Sequence, residues 1–111
     1  MMTPNDVVKV LIGLGEQQRE LQLEIRELDE AYVRSKADYD TAAARSYLKA
    51  EGTVDERKSQ SVIDTADQKL LTELAAVRHR AAVNYERYLK NQIDTHRTIS
   101  ATVRSEWSAT A

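Results

Sequence analysis

The chain has 111 residues, of which 41% are apolar and 31% are charged, and its formal net charge at pH 7 is −2. This length is typical of one domain, and three Gly, one Pro and no Phe favour long helices over a compact mixed fold. The lack of Cys excludes disulfides and thiolate metal sites, while the slight negative charge gives no bulk attraction to nucleic acid or anionic membrane. The apolar runs are far shorter than a membrane span, so we expect no membrane partner.

The first helix is predicted to begin near Thr3-Pro4, because Thr caps free backbone N–H groups and Pro suits the first helical position. Gly13 and Gly15 then interrupt the helical spacing of the apolar residues. Each Gly weakens a helix by about 1 kcal/mol relative to Ala. We therefore expect a kink or a short break at residues 13–15, with the helix resuming at about Glu16.

From Glu16 to Ala50 the apolar residues recur at alternating steps of three and four, which predicts one continuous helix. Charged residues fill the remaining positions. The stripe consists of Leu21, Ile25, Leu28, Tyr32, Tyr39, Ala42 or Ala43, and Tyr47.

A tight turn between two helices is predicted at residues 51–53. Gly52 suits the left-handed conformation that ends a helix, and Thr53 with Glu56 forms a capping box, in which each side chain meets the backbone of the other residue. One helix should thus end at about Ala50 and the next begin at about Val54. Because the link is so short, the two helices should be antiparallel neighbours.

The second helix is predicted to run without interruption from Val54 to about Trp107, since this segment has neither Gly nor Pro. Its apolar side is outlined by Ile63, Ala66, Leu70, Leu74, Val77, Ala81, Tyr85, Tyr88, Ile99, Val103 and Trp107. The sequence therefore predicts an all-α fold, a long, coiled-coil-like antiparallel helical hairpin that forms a single domain over residues 1–111. An acidic block at residues 16–30 and a basic block at 78–104 should lie alongside each other and favour this alignment.

The apolar residues often occur in adjacent pairs, which widens the stripe beyond what a two-helix seam needs. A two-helix unit of this size buries little surface, so we expect a homo-oligomer, a four-helix or larger bundle. Trp107 could either pack on the N-terminal apolar cluster, which is the favoured role, or anchor a partner protein. The candidate interface residues are Val7, Leu11, Ile12, Val62, Leu71, Leu89 and Trp107.

Basic residues interleaved with Tyr85 and Tyr88 form a candidate nucleic-acid surface, because Arg and Lys follow phosphates and Tyr stacks on unpaired bases. The basic residues are Arg78, Arg80, Arg87, Lys90, Arg97 and Arg104. The favoured alternative is structural, with both Tyr in the core stripe and the basic residues answering the acidic block across the hairpin. Nucleic acid is thus a possible partner, but not the preferred one.

Catalytic and metal sites have little support in the sequence. His79 and His96, the two histidines, are 17 residues apart and lack the spacing of a helical metal site. Gly13-Leu14-Gly15 lacks the Lys-Ser/Thr of a phosphate loop. We expect neither an enzyme nor a cofactor nor a bound metal.

Two stretches, Tyr47 to Lys58 at the turn and Ser100 to Trp107 near the end, resemble small helical proteins of tailed bacteriophages, especially those of actinobacteria. The resemblance spans residues from about 20 to 107, and such proteins are often encoded near recombination, annealing or replication genes. It implies a phage protein in the cytoplasm of the host bacterium, with an unidentified phage or host protein as partner. Three functions follow as hypotheses: a scaffold in a recombination or replication module, a single-strand nucleic-acid mediator, and an inhibitor of a host enzyme or defence protein.

Overall fold

The fold is an all-α antiparallel helical hairpin, which confirms the predicted fold class. The computed structural model describes residues 2–110, with the backbone alone at Thr110. Three helices account for almost all of these residues, and no strand occurs among them: α1 is Pro4–Lys49, α2 is Val54–Asp64 and α3 is Ala66–Thr110.

Reciprocal hydrogen bonds between Thr3 and Asp6 cap the start of α1. The Asp6 N–H donates to the Thr3 hydroxyl at 3.2 Å, and Asp6 Oδ2 accepts from the Thr3 N–H at 3.0 Å and from its hydroxyl at 2.8 Å. These bonds, the backbone one foremost, hold the pKa of Asp6 below its ordinary value. The predicted cap at Thr3 is confirmed, and Asp6 completes the capping box.

α1 continues without interruption through Gly13 and Gly15, so the short break proposed there is wrong. Both glycines lie in the interior of a 46-residue helix. The cost of about 1 kcal/mol per glycine is small beside the cooperative hydrogen bonding of so long a helix. A bend of the helix axis at residues 13–15 stays a prediction.

The turn between α1 and α2 has the predicted chemistry. Gly52 adopts a φ of 107°, and the Thr53 hydroxyl accepts a hydrogen bond from the Glu56 N–H at 3.2 Å. The Glu56 carboxylate reaches back over Gly52. Arg57 stacks its guanidinium 4.5 Å from the centre of the Tyr47 ring and donates two hydrogen bonds of 3.2 Å to the Tyr47 carbonyl. This pair ties α2 to the end of α1.

The second arm is divided at Thr65, where one uninterrupted helix was predicted. Thr65 has a φ of −113° and a ψ of 15°, outside the helical region. Its side chain competes for a backbone acceptor, because the Thr65 hydroxyl donates to the Ser61 carbonyl at 2.6 Å while the Thr65 N–H also reaches that oxygen at 3.1 Å. At its other end, α3 extends three residues beyond Trp107, to Thr110.

Contacts group the described residues into two units. The terminal unit contains residues 2–25 and 82–110, and the turn unit contains residues 26–81. The terminal unit has an apolar core, in which Leu89 is 1% exposed. Its buried residues are Val7, Leu21, Leu89, Ile93 and Val103.

Hydroxyl-bearing residues line the interior of the turn unit, in what we call the hydroxyl seam. Ser61 of α2, Thr65, and Thr72 of α3 are buried, and Ser35 of α1 is half-buried. The Thr72 hydroxyl lies 3.0 Å from the Ser35 hydroxyl and 3.1 Å from the Ser35 carbonyl. The Ser61 hydroxyl donates to the Ala43 carbonyl at 2.9 Å. Small side chains bonded to the facing backbone thus set the register of this unit.

The predicted stripe of α1 lies on the inner side, as expected, since its members from Leu21 to Tyr47 are buried or half-buried. The stripe predicted for the second arm is wrong over most of its length. Ile63, Ala66, Leu70, Leu74, Val77 and Ala81 are all exposed in the turn unit. The interior of that unit is lined by the hydroxyl seam instead.

Candidate interaction surface

The largest apolar surface of the turn unit lies on the side of α2 and α3 that faces away from α1. We call it the outer face, and it consists of Val62, Ile63, Leu70, Leu71, Leu74 and Val77. The exposed fraction is 69% for Ile63 and 61% for Leu71. Side chains of this size are usually buried, so the outer face is a surface that a partner could cover.

Helix geometry explains why one helix has both a polar inner side and an apolar outer side. Successive residues are about 100° apart, so Leu70 and Leu74, two residues either side of the seam residue Thr72, point about 200° away from it. Thr72 is buried and both Leu are exposed. The hydroxyl seam and the outer face therefore occupy opposite sides of α3.

Charged residues flank Leu70 and Leu74 at the centre of the outer face. At about 100° per residue, Asp67 and Arg78 lie between these two residues and Leu71, while Lys69 and Glu73 lie on the other side, and all four are exposed. Within residues 2–110, none of the four takes part in an ion pair. Their charges are thus available to a partner.

The predicted interface residues have different positions in the structure. Ile12, Val62, Leu71 and Trp107 are exposed, as an interface requires, and Leu11 is half-buried. Their contact with a partner stays a prediction. Val7 and Leu89 are wrong for this role, because both are fully buried in the core of the terminal unit and offer no surface.

The predicted basic residues are divided between the units. Arg78 and Arg80 belong to the turn unit, while Arg87, Lys90, Arg97 and Arg104 belong to the terminal unit. Two of them pair within α3 itself, Lys90 with Glu86 at 3.1 Å and Arg97 with Asp94 at 3.9 Å.

Cross-arm pairing of the acidic and basic blocks is therefore not the main pattern. Between the arms, the described residues show one approach, of His79 Nε2 to Asp29 Oδ1 at 3.8 Å in the turn unit. The side chains of the predicted blocks are exposed, and solvent weakens the preference of such groups for one partner.

Tyr85 and Tyr88 lie outside the core, contrary to the structural interpretation of the basic run. Their exposed fractions are 50% and 53%, and their rings stack with centroids 5.9 Å apart. Tyr85 also lines a surface depression of the terminal unit with Leu21, Glu20 and Glu24. The Tyr85 ring is thus close to carboxylates, which would repel a phosphate backbone.

The histidines take part in local contacts. His96 Nδ1 lies 2.8 Å from the Gln92 carbonyl of its own helix, and His79 approaches Asp29. Over residues 2–110, no three His, Asp or Glu side chains cluster in a way that could hold a metal ion. None of the described helices combines the length and apolar character needed to cross a membrane.

The hydroxyl seam is the feature that reasoning from large apolar residues missed. Its signal in the sequence is a second row of residues at helical spacing, on the side of the helix opposite Ile63, Leu70 and Leu74. The row consists of Ser61, Thr65, Gln68 and Thr72.

Comparison with known proteins identifies no relative of this chain. No protein family, curated protein or solved structure matches the chain.

Proposed function

We propose that this protein is a non-enzymatic accessory protein that acts by protein–protein interaction, as a scaffold whose binding surface is the outer face of the turn unit. The observation that carries the proposal is the exposure of six large aliphatic side chains on that face. Solvation of so many apolar groups is unfavourable, and covering them with a partner recovers about 25 cal/mol for each Å² removed from water.

The size of the outer face supports this function. Its six aliphatic residues are each between 42% and 69% exposed, which places the face in the range of about 300–600 Å² that the largest apolar patch on a typical monomer covers. A patch of this size with a charged border has the anatomy of a protein interface, where an apolar centre is surrounded by a polar rim.

The biological setting is proposed from the resemblance of residues 47–58 and 100–107 to small helical phage proteins. On that basis the protein acts in the cytoplasm of an infected bacterium, within a module for DNA recombination or replication. Its scaffold role there is to hold partners together, and the chemistry of the module belongs to those partners.

Site-specific photo-crosslinking in infected cells tests the proposal. A photoreactive amino acid replaces Leu71 on the outer face or, as a control, Leu48 of α1, which is also a leucine and is even more exposed. We expect irradiation to give discrete covalent protein adducts from position 71 and not from position 48. Adducts absent from position 71, and likewise from Leu70 and Leu74, would contradict an interaction through the outer face.

A second candidate function, binding of single-stranded nucleic acid, is favoured by one observation. Tyr85 and Tyr88 present half-exposed rings, and Arg87 between them forms no ion pair within residues 2–110. Base–aromatic stacking contributes about 1–3 kcal/mol per base, and Arg87 with Lys90 would contact phosphates.

Fluorescence anisotropy with a labelled single-stranded oligonucleotide, at low and moderate salt, tests this second function. We expect Arg87→Ala plus Lys90→Ala to weaken binding and to reduce its salt dependence. Lys9→Ala plus Arg19→Ala removes the same charge from exposed positions of α1 and serves as the control. Equal affinity in both double variants would exclude binding through this part of α3.

A further inference from the structure

We propose that the occupant of the outer face is a second copy of this chain, docked antiparallel about a two-fold axis that passes near Leu71. This inference deepens the proposed function, on which it rests, by naming the partner. Three features carry it: the arrangement of charge around the face, the exposed area, and the symmetry of the two flanks.

The charges of the outer face have opposite order on its two flanks. On one flank Lys69 precedes Glu73, and on the other Asp67 precedes Arg78. Each flank therefore carries one cation and one anion, separated by one to three helical turns. The Lys69–Glu73 pair is centred on residue 71 and the Asp67–Arg78 pair between residues 72 and 73, so both centres lie within the run of apolar side chains.

A two-fold axis near residue 71 places residue i of one copy opposite about residue 142 − i of the other. Lys69 then lies opposite Glu73, because in an antiparallel helix pair each flank meets the same flank of its partner. Asp67 comes within one helical turn of Arg78, whose long side chain spans that distance. Both pairs occur twice by symmetry, so all eight charged groups find an opposite charge.

A parallel pair of outer faces is less well matched. In a parallel arrangement each flank meets the opposite flank, displaced by about five residues, so Glu73 meets Arg78 while Lys69 and Asp67 face the apolar Leu74 and Val62. The antiparallel arrangement leaves no such unmatched charge. The outer face is thus complementary to itself, as an isologous interface requires.

The exposed apolar area is of the order that a dimer interface needs. The six residues of the outer face are between 42% and 69% exposed, and the aliphatic stems of Lys69 and Arg78 extend the face. A standard interface buries about 800 Å² on each partner, and weaker interfaces bury less. The two α3 helices would pack against each other through their apolar sides. In each copy, α1 would lie on the opposite side of α3, at the hydroxyl seam, and outside the interface.

Sedimentation velocity on the purified full-length chain tests the inference. We expect the wild type to dimerise, Leu70→Glu at the centre of the face to be monomeric, and the control Leu48→Glu to dimerise like the wild type. Circular dichroism on each variant verifies that it retains its helices. A wild type that stays monomeric up to about 1 mM, a concentration that reveals even weak association, would overturn the inference.

Charge reversal distinguishes the orientation and does not alter the apolar side chains. Lys69→Glu or Glu73→Lys alone should weaken dimerisation roughly tenfold, because each breaks two symmetric pairs and creates two repulsive ones. The double variant Lys69→Glu plus Glu73→Lys should restore wild-type affinity. Restoration by Glu73→Lys plus Arg78→Glu, and not by that double variant, would overturn the antiparallel arrangement.

The two proposals fail in different ways. Suppose that the wild type is monomeric and that the crosslinked adducts at position 71 contain another protein but no second copy of the chain. This result would overturn the second-copy inference and uphold the interaction function. A dimer in solution whose adducts in cells have twice the mass of the chain supports both.

Discussion

Gly52 is the residue on which the reversal of the chain depends most directly. Its φ of 107° lies in the left-handed region, which residues with a Cβ rarely adopt. A Cβ at this position would also meet the Glu56 carboxyl group, whose Cδ atom lies 3.2 Å from it. Conformation and space therefore both require glycine here.

Gly52→Ala should destabilise the protein by about 1–2 kcal/mol, because Ala must adopt the strained φ and displace the Glu56 side chain. Urea unfolding followed by circular dichroism measures the change in the free energy of unfolding. Gly13→Ala and Gly15→Ala are the matched controls, since both positions are helical and no atom lies within 4 Å of an added Cβ. These controls should each stabilise the protein, by roughly 0.5–1 kcal/mol. Equal effects at all three glycines would contradict the assigned turn conformation.

The Asp64 carboxyl should make the stability of the protein depend on pH. Hydrogen bonds from the Ser46 hydroxyl at 2.7 Å and from the Gln60 amide at 2.8 Å hold the pKa of Asp64 below its ordinary value of 3.8. A carboxyl group with a lowered folded-state pKa stabilises the protein above its unfolded-state pKa. That contribution is lost as the pH falls through the folded-state pKa.

Asp64→Asn should therefore lower the thermal midpoint at pH 7, and this effect should shrink as the pH falls through the folded-state pKa of the wild-type carboxyl. Thermal unfolding at a series of descending pH values measures this difference. Asp38→Asn, at an exposed position of α1, controls for the loss of one charge. An Asp64→Asn effect that does not change with pH would show that the Ser46 and Gln60 bonds do not favour the charged carboxylate.

At the scale of the element, α3 has a buried polar side and an exposed apolar side in the turn unit, and this limits what its sequence can predict. The existence of the helices, the cap at Thr3 and the turn at Gly52 follow from local chemistry, so the sequence predicts them well. Periodicity also identifies which side of α3 is apolar. It does not identify which neighbour that side meets, because Leu70 packs as favourably on another copy as on α1.

The helix break at Thr65 could not be predicted from the sequence, for a different reason. Thr is common enough inside helices that its presence alone does not end one. The interruption depends on the burial of Thr65, which is 3% exposed, and on its bond to the Ser61 carbonyl. The bond is local to the second arm, but the burial depends on the folded structure, which is tertiary information. Ser61 and Thr72 were missed in the same way, as polar residues that buried hydrogen bonds bring inside.

Thr72→Val should destabilise the turn unit by about 1 kcal/mol, because it removes the hydroxyl that bonds to Ser35 and leaves a side chain of the same shape. Thr98→Val is the matched control, since the Thr98 hydroxyl bonds only to the Asp94 carbonyl of its own helix and is exposed. Chemical unfolding of both variants under identical conditions measures the difference. If Thr98→Val costs as much as Thr72→Val, the seam bond makes no specific contribution.

At the scale of the whole molecule, the two units differ in how they are stabilised. The terminal unit buries Leu89 and Ile93 among other aliphatic side chains, whereas the turn unit buries Ser61 and Thr72. Burial of an aliphatic side chain contributes about 1.5–3 kcal/mol, and a hydrogen bond contributes only about 0.5–1.5 kcal/mol. We therefore expect the turn unit to be the less stable of the two, and a partner that covers its outer face to stabilise it.

Hydrogen exchange should reveal this difference. In dilute protein, amides of residues 86–96 should exchange more slowly than those of residues 68–78, because local opening costs less where few apolar contacts are broken. Raising the protein concentration should selectively slow exchange in residues 68–78, as the second copy docks. Exchange rates that are uniform along α3 at every concentration would contradict both expectations.

The hydroxyl seam also has a calorimetric consequence. The heat capacity of unfolding rises with the apolar surface that is exposed and falls with the polar surface, so a seam of Ser and Thr contributes little to it. Docking of two outer faces would instead remove mainly apolar surface from water. Most of the curvature in the plot of the turn unit's free energy of unfolding against temperature should thus arise from association. Cooling should therefore separate the two copies before it unfolds the helices.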